Sequence, residues 1–106
     1  MGATFKENCP DVRNSKVIDI ISELEDYDCR VQVYDPWVGV ADAVTIYDGR
    51  LISELESEAY DAIVIAVAHE QFGEMGISKI HQLGKNPHIV YDIKNMFCAD
   101  ETDIRL

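Results

Sequence analysis

The sequence predicts an α/β fold, an open parallel sheet with helices on both faces. Three observations predict it. Short apolar runs alternate with stretches of helical periodicity, in the order strand, helix, strand, helix, strand, helix, strand, and that alternation is the signature of parallel sheets crossed by helices. The run Ala62-Ile63-Val64-Ile65-Ala66-Val67-Ala68 is continuous and mostly branched, as in a central strand covered on both sides. Turn residues then mark the boundaries: Asp35-Pro36, Asp48-Gly49, Gly84 and Pro87.

The elements follow in chain order. Residues 2–5 read as a short apolar strand that opens abruptly, as though more of it lay upstream. A polar turn containing Pro10 leads to Ser15, which is placed to cap a helix running to about Asp26. Val17, Ile18, Ile21 and Leu24 have the three-and-four spacing of one buried helical face, and Glu23, Glu25 and Asp26 take the solvent side. In residues 30–34, Val31 and Val33 alternate with polar residues, a period-two strand stopped by Asp35-Pro36. Residues 44–47 read as an edge strand and residues 51–55 as a short helix. After the central run, Ile77, Ile80 and Leu83 outline a helical stretch ending at Gly84, and Pro87 separates it from a last strand over residues 88–93. Right-handed crossovers are expected between the strands. The tail from Asn95 onward is expected to wrap the surface.

At 106 residues the chain suits one domain, and 47 % apolar with 27 % charged residues is a globular composition. The net charge of −11 argues against nucleic-acid or anionic-membrane binding, where basic patches supply the affinity. It leaves room for a phosphate ligand, which needs only a few local cations or a helix amino terminus. The longest apolar stretch is too short to span a bilayer, and Lys6, Glu7 and Asn8 interrupt any leader-like start. A cytoplasmic setting is the expectation. Cys9, Cys29 and Cys98 are odd in number and widely spaced, fitting neither a zinc site nor a disulfide framework.

In open parallel sheets a ligand sits beyond the carboxyl ends of the strands, near the switch in strand order. Those ends are Phe5-Lys6, Asp35-Pro36, Ala68-His69-Glu70 and Asp92-Ile93-Lys94. Two of the four carry a lysine, in a chain with only nine basic residues. Each candidate also has a plainer reading. Lys6 could be a solvated loop lysine, Arg13 could pair with Asp11 or Glu7, Asp35 could cap a turn, and His69 could be a satisfied core histidine. The first strand is followed by no glycine-rich dinucleotide turn, and neither a P-loop nor a metal-spaced cluster is present.

The stretch Thr4-Phe5-Lys6-Glu7-Asn8-Cys9-Pro10-Asp11-Val12-Arg13-Asn14-Ser15-Lys16 resembles the opening signature of the carboxy-terminal domain of the UDP-glucose/GDP-mannose dehydrogenase family. Val33-Tyr34-Asp35-Pro36, residues 61–69, Val90-Tyr91-Asp92-Ile93-Lys94 and Asp103-Ile104-Arg105-Leu106 follow in the family's order, so the resemblance covers essentially the whole chain. The form Phe-Lys-Glu-Asn-Cys-Pro-Asp is most similar to the bacterial branch that oxidises UDP-N-acetylhexosamines for surface polysaccharides, including Vi antigen.

The resemblance implies a three-layer, Rossmann-like α/β domain over residues 1–106, the UDP-binding part of a longer enzyme. It implies an NAD-dependent oxidoreductase that turns the sugar's primary alcohol into a carboxylate in two oxidations through a cysteine-bound intermediate. The NAD, its amino-terminal domain, the central domain and that cysteine would belong to upstream parts, and the whole enzyme would be a homo-oligomer. Cys9 matches the opening signature and not the catalytic motif. The substrate-binding residues implied are Phe5, Lys6, Arg13 and Lys94. Lys94 falls where many members have an arginine, which keeps the charge and loses the planar fork. Two other classes compete: a stand-alone receiver-like regulatory domain, and a small autonomous enzyme using His69 with Asp35 or Glu70. A receiver would need acidic residues where the first strand ends in Lys6.

Overall fold

The computed structural model describes residues 1–12, 15–39, 47 and 49–105. Helix α1 (Val17–Asp26) is followed by β1 (Tyr60–Ile65), α2 (Glu70–Met75), α3 (Ile77–Gln82), β2 (Gly84–Asp92), a 3₁₀ turn (Ala99–Glu101) and β3 (Ile104–Arg105). The three strands form a parallel sheet in the order β1-β2-β3, the expected α/β, Rossmann-like arrangement of parallel strands with crossover helices.

Three extended segments prolong this sheet beyond β1. Met1 N donates to Val64 O at 2.5 Å, and Ala66 N donates to Met1 O at 2.8 Å. On the other side Gly2 N donates to Tyr34 O at 2.9 Å. Val33 in turn forms a parallel bridge with Leu51, its N–H reaching Arg50 O and its carbonyl receiving Ile52 N. Numbered along the chain, the six extended pieces lie side by side as 3-2-1-4-5-6. The switch in strand order therefore falls between the opening segment and β1, which is where open α/β sheets place their ligands.

The sequence expectations hold for most elements and fail locally. The strands expected over residues 2–5 and 30–34 form no continuous ladder: the first is tied to its neighbours through Met1 and Gly2 and bends from Thr4 onward, and in the second Val33 is bridged to Leu51 and Tyr34 accepts the Gly2 N–H. Residues 51–55 are not helical; Leu51 is in the bridge to Val33. The edge strand expected over residues 44–47 lies almost wholly outside the described residues. The last strand starts earlier than expected, at Gly84. Tyr60 pairs with Gly84 and Ala62 with Ile89, so residues 85–88, with Pro87, bulge out of the ladder.

Helix α1 begins at Val17, with Lys16 and not the expected Ser15 at the cap position and no side-chain cap bond; Ser15 stands one residue earlier, and its Oγ accepts the Val17 N–H at 3.3 Å. It ends in a Schellman turn: Cys29 N reaches Leu24 O, Asp28 N reaches Glu25 O, and Asp28 has φ 63°. Two cores flank the chain. Val17 and Ile21 of α1 pack with Ala3, Val12, Val33, Tyr47, Ala66 and Val67. Ile63, Ile65 and Val90 pack with Phe72 of α2 and with Ile80 and Leu83. Gly2 is required where it stands. Its φ is +92°, and a Cβ there would lie 2.7 Å from Val67 N.

Burial alternates along β1 and β2, as period-two strands demand. Ile63, Ile65, Val90 and Asp92 are buried, whereas Ala62 and Ile89 are exposed and Val64 and Tyr91 half-buried. Register puts Ala62 beside Ile89, Val64 beside Tyr91, and Tyr91 beside Ile104. These five residues therefore share one face, which the described residues cover only in part.

Candidate functional site at the strand-order switch

The opening segment leaves the sheet at Thr4 and makes a loop closed by Phe5 N donating to Asp11 O at 2.7 Å. Three strand ends meet beneath this loop. Thr4, Asp35 and His69 are all buried, His69 completely, although buried polar groups are tolerated only when paired. Their pairing is nearly complete. Asp35 Oδ2 accepts Ala3 N at 2.6 Å and faces His69 Nε2 at 2.8 Å. Asp35 Oδ1 accepts Trp37 N at 2.7 Å, the turn-capping bond of an Asp two residues upstream. His69 Nε2 also lies 3.1 Å from Thr4 Oγ1, and His69 Nδ1 accepts Asn8 N–H at 2.9 Å.

The loop is fixed from its own side as well. Thr4 Oγ1 donates to Lys6 O at 2.9 Å, and Asn8 Oδ1 accepts Glu70 N at 2.9 Å. Asn8 holds φ 55°, a left-handed conformation that Asn tolerates better than most residues. The His69 ring lies between two aromatic neighbours, with centroids 6.2 Å from Trp37 and 5.4 Å from Phe72. Trp37 Nε1 is itself tied to Gln71 Oε1 at 3.0 Å. Tyr47 OH donates to Ala3 O, and burial raises its phenol above the usual range.

Phe5 and Lys6 stand on this scaffold and point to solvent; Phe5 is 58 % exposed, unusual for a phenylalanine. Lys94 is exposed on the turn that follows β2, beside the end of β1, since Ile93 N donates to Ile65 O at 3.1 Å. That turn is anchored by Asp92, whose Oδ2 accepts Phe97 N at 2.9 Å, and by Asn95, whose Oδ1 accepts Arg105 Nε at 2.9 Å. An aromatic ring and two ammonium groups thus sit along the carboxyl edge of the sheet, the loop bearing Phe5 and Lys6 directly at the switch. Arg13, the fourth expected contact, lies outside the described residues.

His69 and Asp35 take their plain readings. Both side chains are shielded from solvent, so neither can touch a substrate as an acid or base. This removes the autonomous enzyme built on His69 with Asp35 or Glu70. The strand ends at the switch present Phe5-Lys6 and a buried His69, not the acidic cluster of a receiver-like domain. Thr4 and Asn8 were not singled out from the sequence. The αL-tolerant Asn8 within the opening signature was the one available signal. Cys9, Cys29 and Cys98 are free thiols. No helix among the described residues is long and apolar enough to cross a membrane.

Comparison with known proteins agrees with this geometry. Residues 1–99 match the UDP-glucose/GDP-mannose dehydrogenase family, UDP binding domain. The chain is 45 % identical over 106 residues to a UDP-N-acetyl-D-glucosamine 6-dehydrogenase of Salmonella typhi, covering all of this chain and 25 % of that protein. It is 48 % identical over 106 residues to the Pseudomonas aeruginosa protein of the same name, again covering all of this chain and 25 % of the relative. Protein CapL of Staphylococcus aureus is 39 % identical over 104 residues, 98 % of this chain and 24 % of CapL. The chain spans about a quarter of the length of the curated relatives it matches.

Proposed function

The chain belongs to the UDP-glucose/GDP-mannose dehydrogenase family, whose UDP binding domain it matches along nearly its whole length, and on that premise we propose that it grips the nucleotide end of a UDP-sugar inside a longer enzyme. The observation that carries the reading is the placement of exposed Phe5 and Lys6 on a hydrogen-bonded loop at the strand-order switch, with exposed Lys94 two strands along, on the turn after β2. Lys6 and Lys94 supply ammonium groups for the pyrophosphate and sugar, and Phe5 supplies an aromatic surface beside them. Arg13 joins them as a fourth substrate contact.

The relatives' names support a UDP-N-acetylhexosamine as the sugar nucleotide, oxidised at its primary alcohol to the uronic acid. The enzyme works in the cytoplasm as a homo-oligomer and supplies surface polysaccharide synthesis. This domain is its carboxy-terminal part, and binds without turning over. NAD, the oxidant of such an enzyme, does not fit here. A dinucleotide needs glycines where the backbone meets its pyrophosphate, and the loop at the switch instead carries Phe5, Lys6, Glu7 and Asn8. No step of the oxidation is therefore assigned to residues of this chain.

The test is a titration of UDP into ¹⁵N-labelled protein, read by amide and lysine side-chain NMR. Shifts clustered at Phe5, Lys6 and Lys94 are expected. Their absence at millimolar UDP, in both this chain and the full-length parent, would overturn the reading.

A further inference from the structure

The hydrogen bonds around His69 admit one state of the ring. A backbone N–H always donates, so Nδ1, 2.9 Å from Asn8 N, must be unprotonated. The ring's proton is therefore on Nε2, where Asp35 Oδ2 at 2.8 Å and Thr4 Oγ1 at 3.1 Å receive it. Thr4 can accept there because its own hydroxyl proton goes to Lys6 O. A doubly protonated ring, or the other tautomer, would set an N–H against the Asn8 N–H.

One imidazole consequently reaches both flanks of Lys6: its carbonyl by way of Thr4, and the residue two positions on through Asn8 N–H. We infer that His69, held as the neutral Nε2–H tautomer by Asp35, is a positioning residue that sets the loop from Thr4 to Asn8 and so aims Lys6. The aim toward a UDP phosphate rests on the function proposed above; the setting of the loop does not. The competing view gives His69 no role beyond filling the core between Trp37 and Phe72.

Two measurements on the 106-residue chain decide the matter. The first is a long-range ¹H–¹⁵N spectrum of the imidazoles in the unmutated protein. A protonated Nε2 with a bare Nδ1 on His69 is expected, and a protonated Nδ1 overturns the inference without any variant having to fold. The second compares His69→Gln with His69→Asn. Glutamine can still donate toward Asp35 from near the Nε2 position but offers nothing to Asn8, whereas asparagine can place an acceptor near Nδ1.

In His69→Gln the Asn8 amide should exchange faster, and UDP affinity should fall about tenfold, the scale of one lost hydrogen bond. At UDP concentrations that saturate the variant, the Lys94 shift should persist while the Lys6 shift is diminished, and His69→Asn should restore part of the affinity and of the Lys6 shift. Equally diminished shifts at Lys6 and Lys94 at saturation, or an unchanged Asn8 amide in His69→Gln, would overturn the inference in favour of simple core filling. If the unmutated chain and its full-length parent both ignore UDP, the proposed function fails, while the ring spectrum and Asn8 exchange still decide the role of His69.

Discussion

Lys6 and Lys94 are exposed cations in a chain of net charge −11, so an anion meets attraction only locally. Their contributions should be separable. Lys6→Ala is expected to weaken UDP binding by roughly tenfold or more, since hydrogen bonds to charged groups contribute about 1.5–3 kcal/mol. Lys94→Arg should tighten it, because a guanidinium can hold a phosphate through two parallel bonds. Isothermal titration of the three proteins checks both expectations, and a Lys94→Arg variant that binds UDP no differently would remove Lys94 from the site. A different residue-scale effect concerns Cys98. Glu101 shares its turn, with Cys98 N donating to Glu101 Oε1 at 2.9 Å, and hydrogen bonding to that carboxylate pushes the thiol's pKa up. Thiolate is the reactive form, so Glu101→Gln should speed alkylation of Cys98 at pH 8, measured by peptide mass spectrometry.

Helix α1 is joined to the outermost extended segment of the sheet by a two-pronged pair, Arg50 Nε to Glu25 Oε2 at 2.8 Å and Nη2 to Oε1 at 2.9 Å. The Arg50 hydrogen bond holds the Glu25 carboxyl below its ordinary value of 4.5. A depressed carboxyl stabilises the fold fully above that value and loses the contribution as pH falls through the folded-state value. Glu25→Gln should therefore unfold at lower urea than the parent at pH 7, and the gap should narrow as the pH is lowered below 4.5; a gap that does not change with pH would mean that the pair contributes nothing. Helix α1 was legible in the sequence because ten residues carry a full amphipathic period and end in a recognisable turn. The central strand was legible because its apolar run is long. Residues 51–55 misled because Leu51, Ile52 and Leu55 fit one helical turn, a pattern too short to outweigh a backbone bridge to Val33. The bulge before Ile89 was invisible because Pro87 marks an interruption without saying that Gly84 pairs on its far side. At the site, the lysines could be read from their places after apolar runs. The support beneath them could not, since Thr4 and His69 are 65 residues apart and Ala3 and Asp35 32 apart, and no local pattern links such positions.

At the scale of the molecule, the sheet is buried on the face of Ile63, Ile65 and Val90 and, by the described residues, only partly covered on the face of Ala62, Val64, Ile89, Tyr91 and Ile104. Ile89 is 46 % and Ile104 45 % exposed, and register brings their strands together. A contiguous apolar surface of this kind binds hydrophobic dyes. The double variant Ile89→Thr, Ile104→Thr should lower anilinonaphthalene sulfonate fluorescence while changing the melting temperature by no more than a few degrees, because exposed side chains contribute little to stability. The His69 clasp has a consequence for thermodynamics. It draws together Thr4, Asn8, Asp35 and His69, so no partly folded form in which these come apart can hold Lys6 in place. Recognition and global unfolding are then one equilibrium seen from two sides. UDP should raise the melting point by mass action, and its apparent affinity across a urea series should fall in step with the folded fraction.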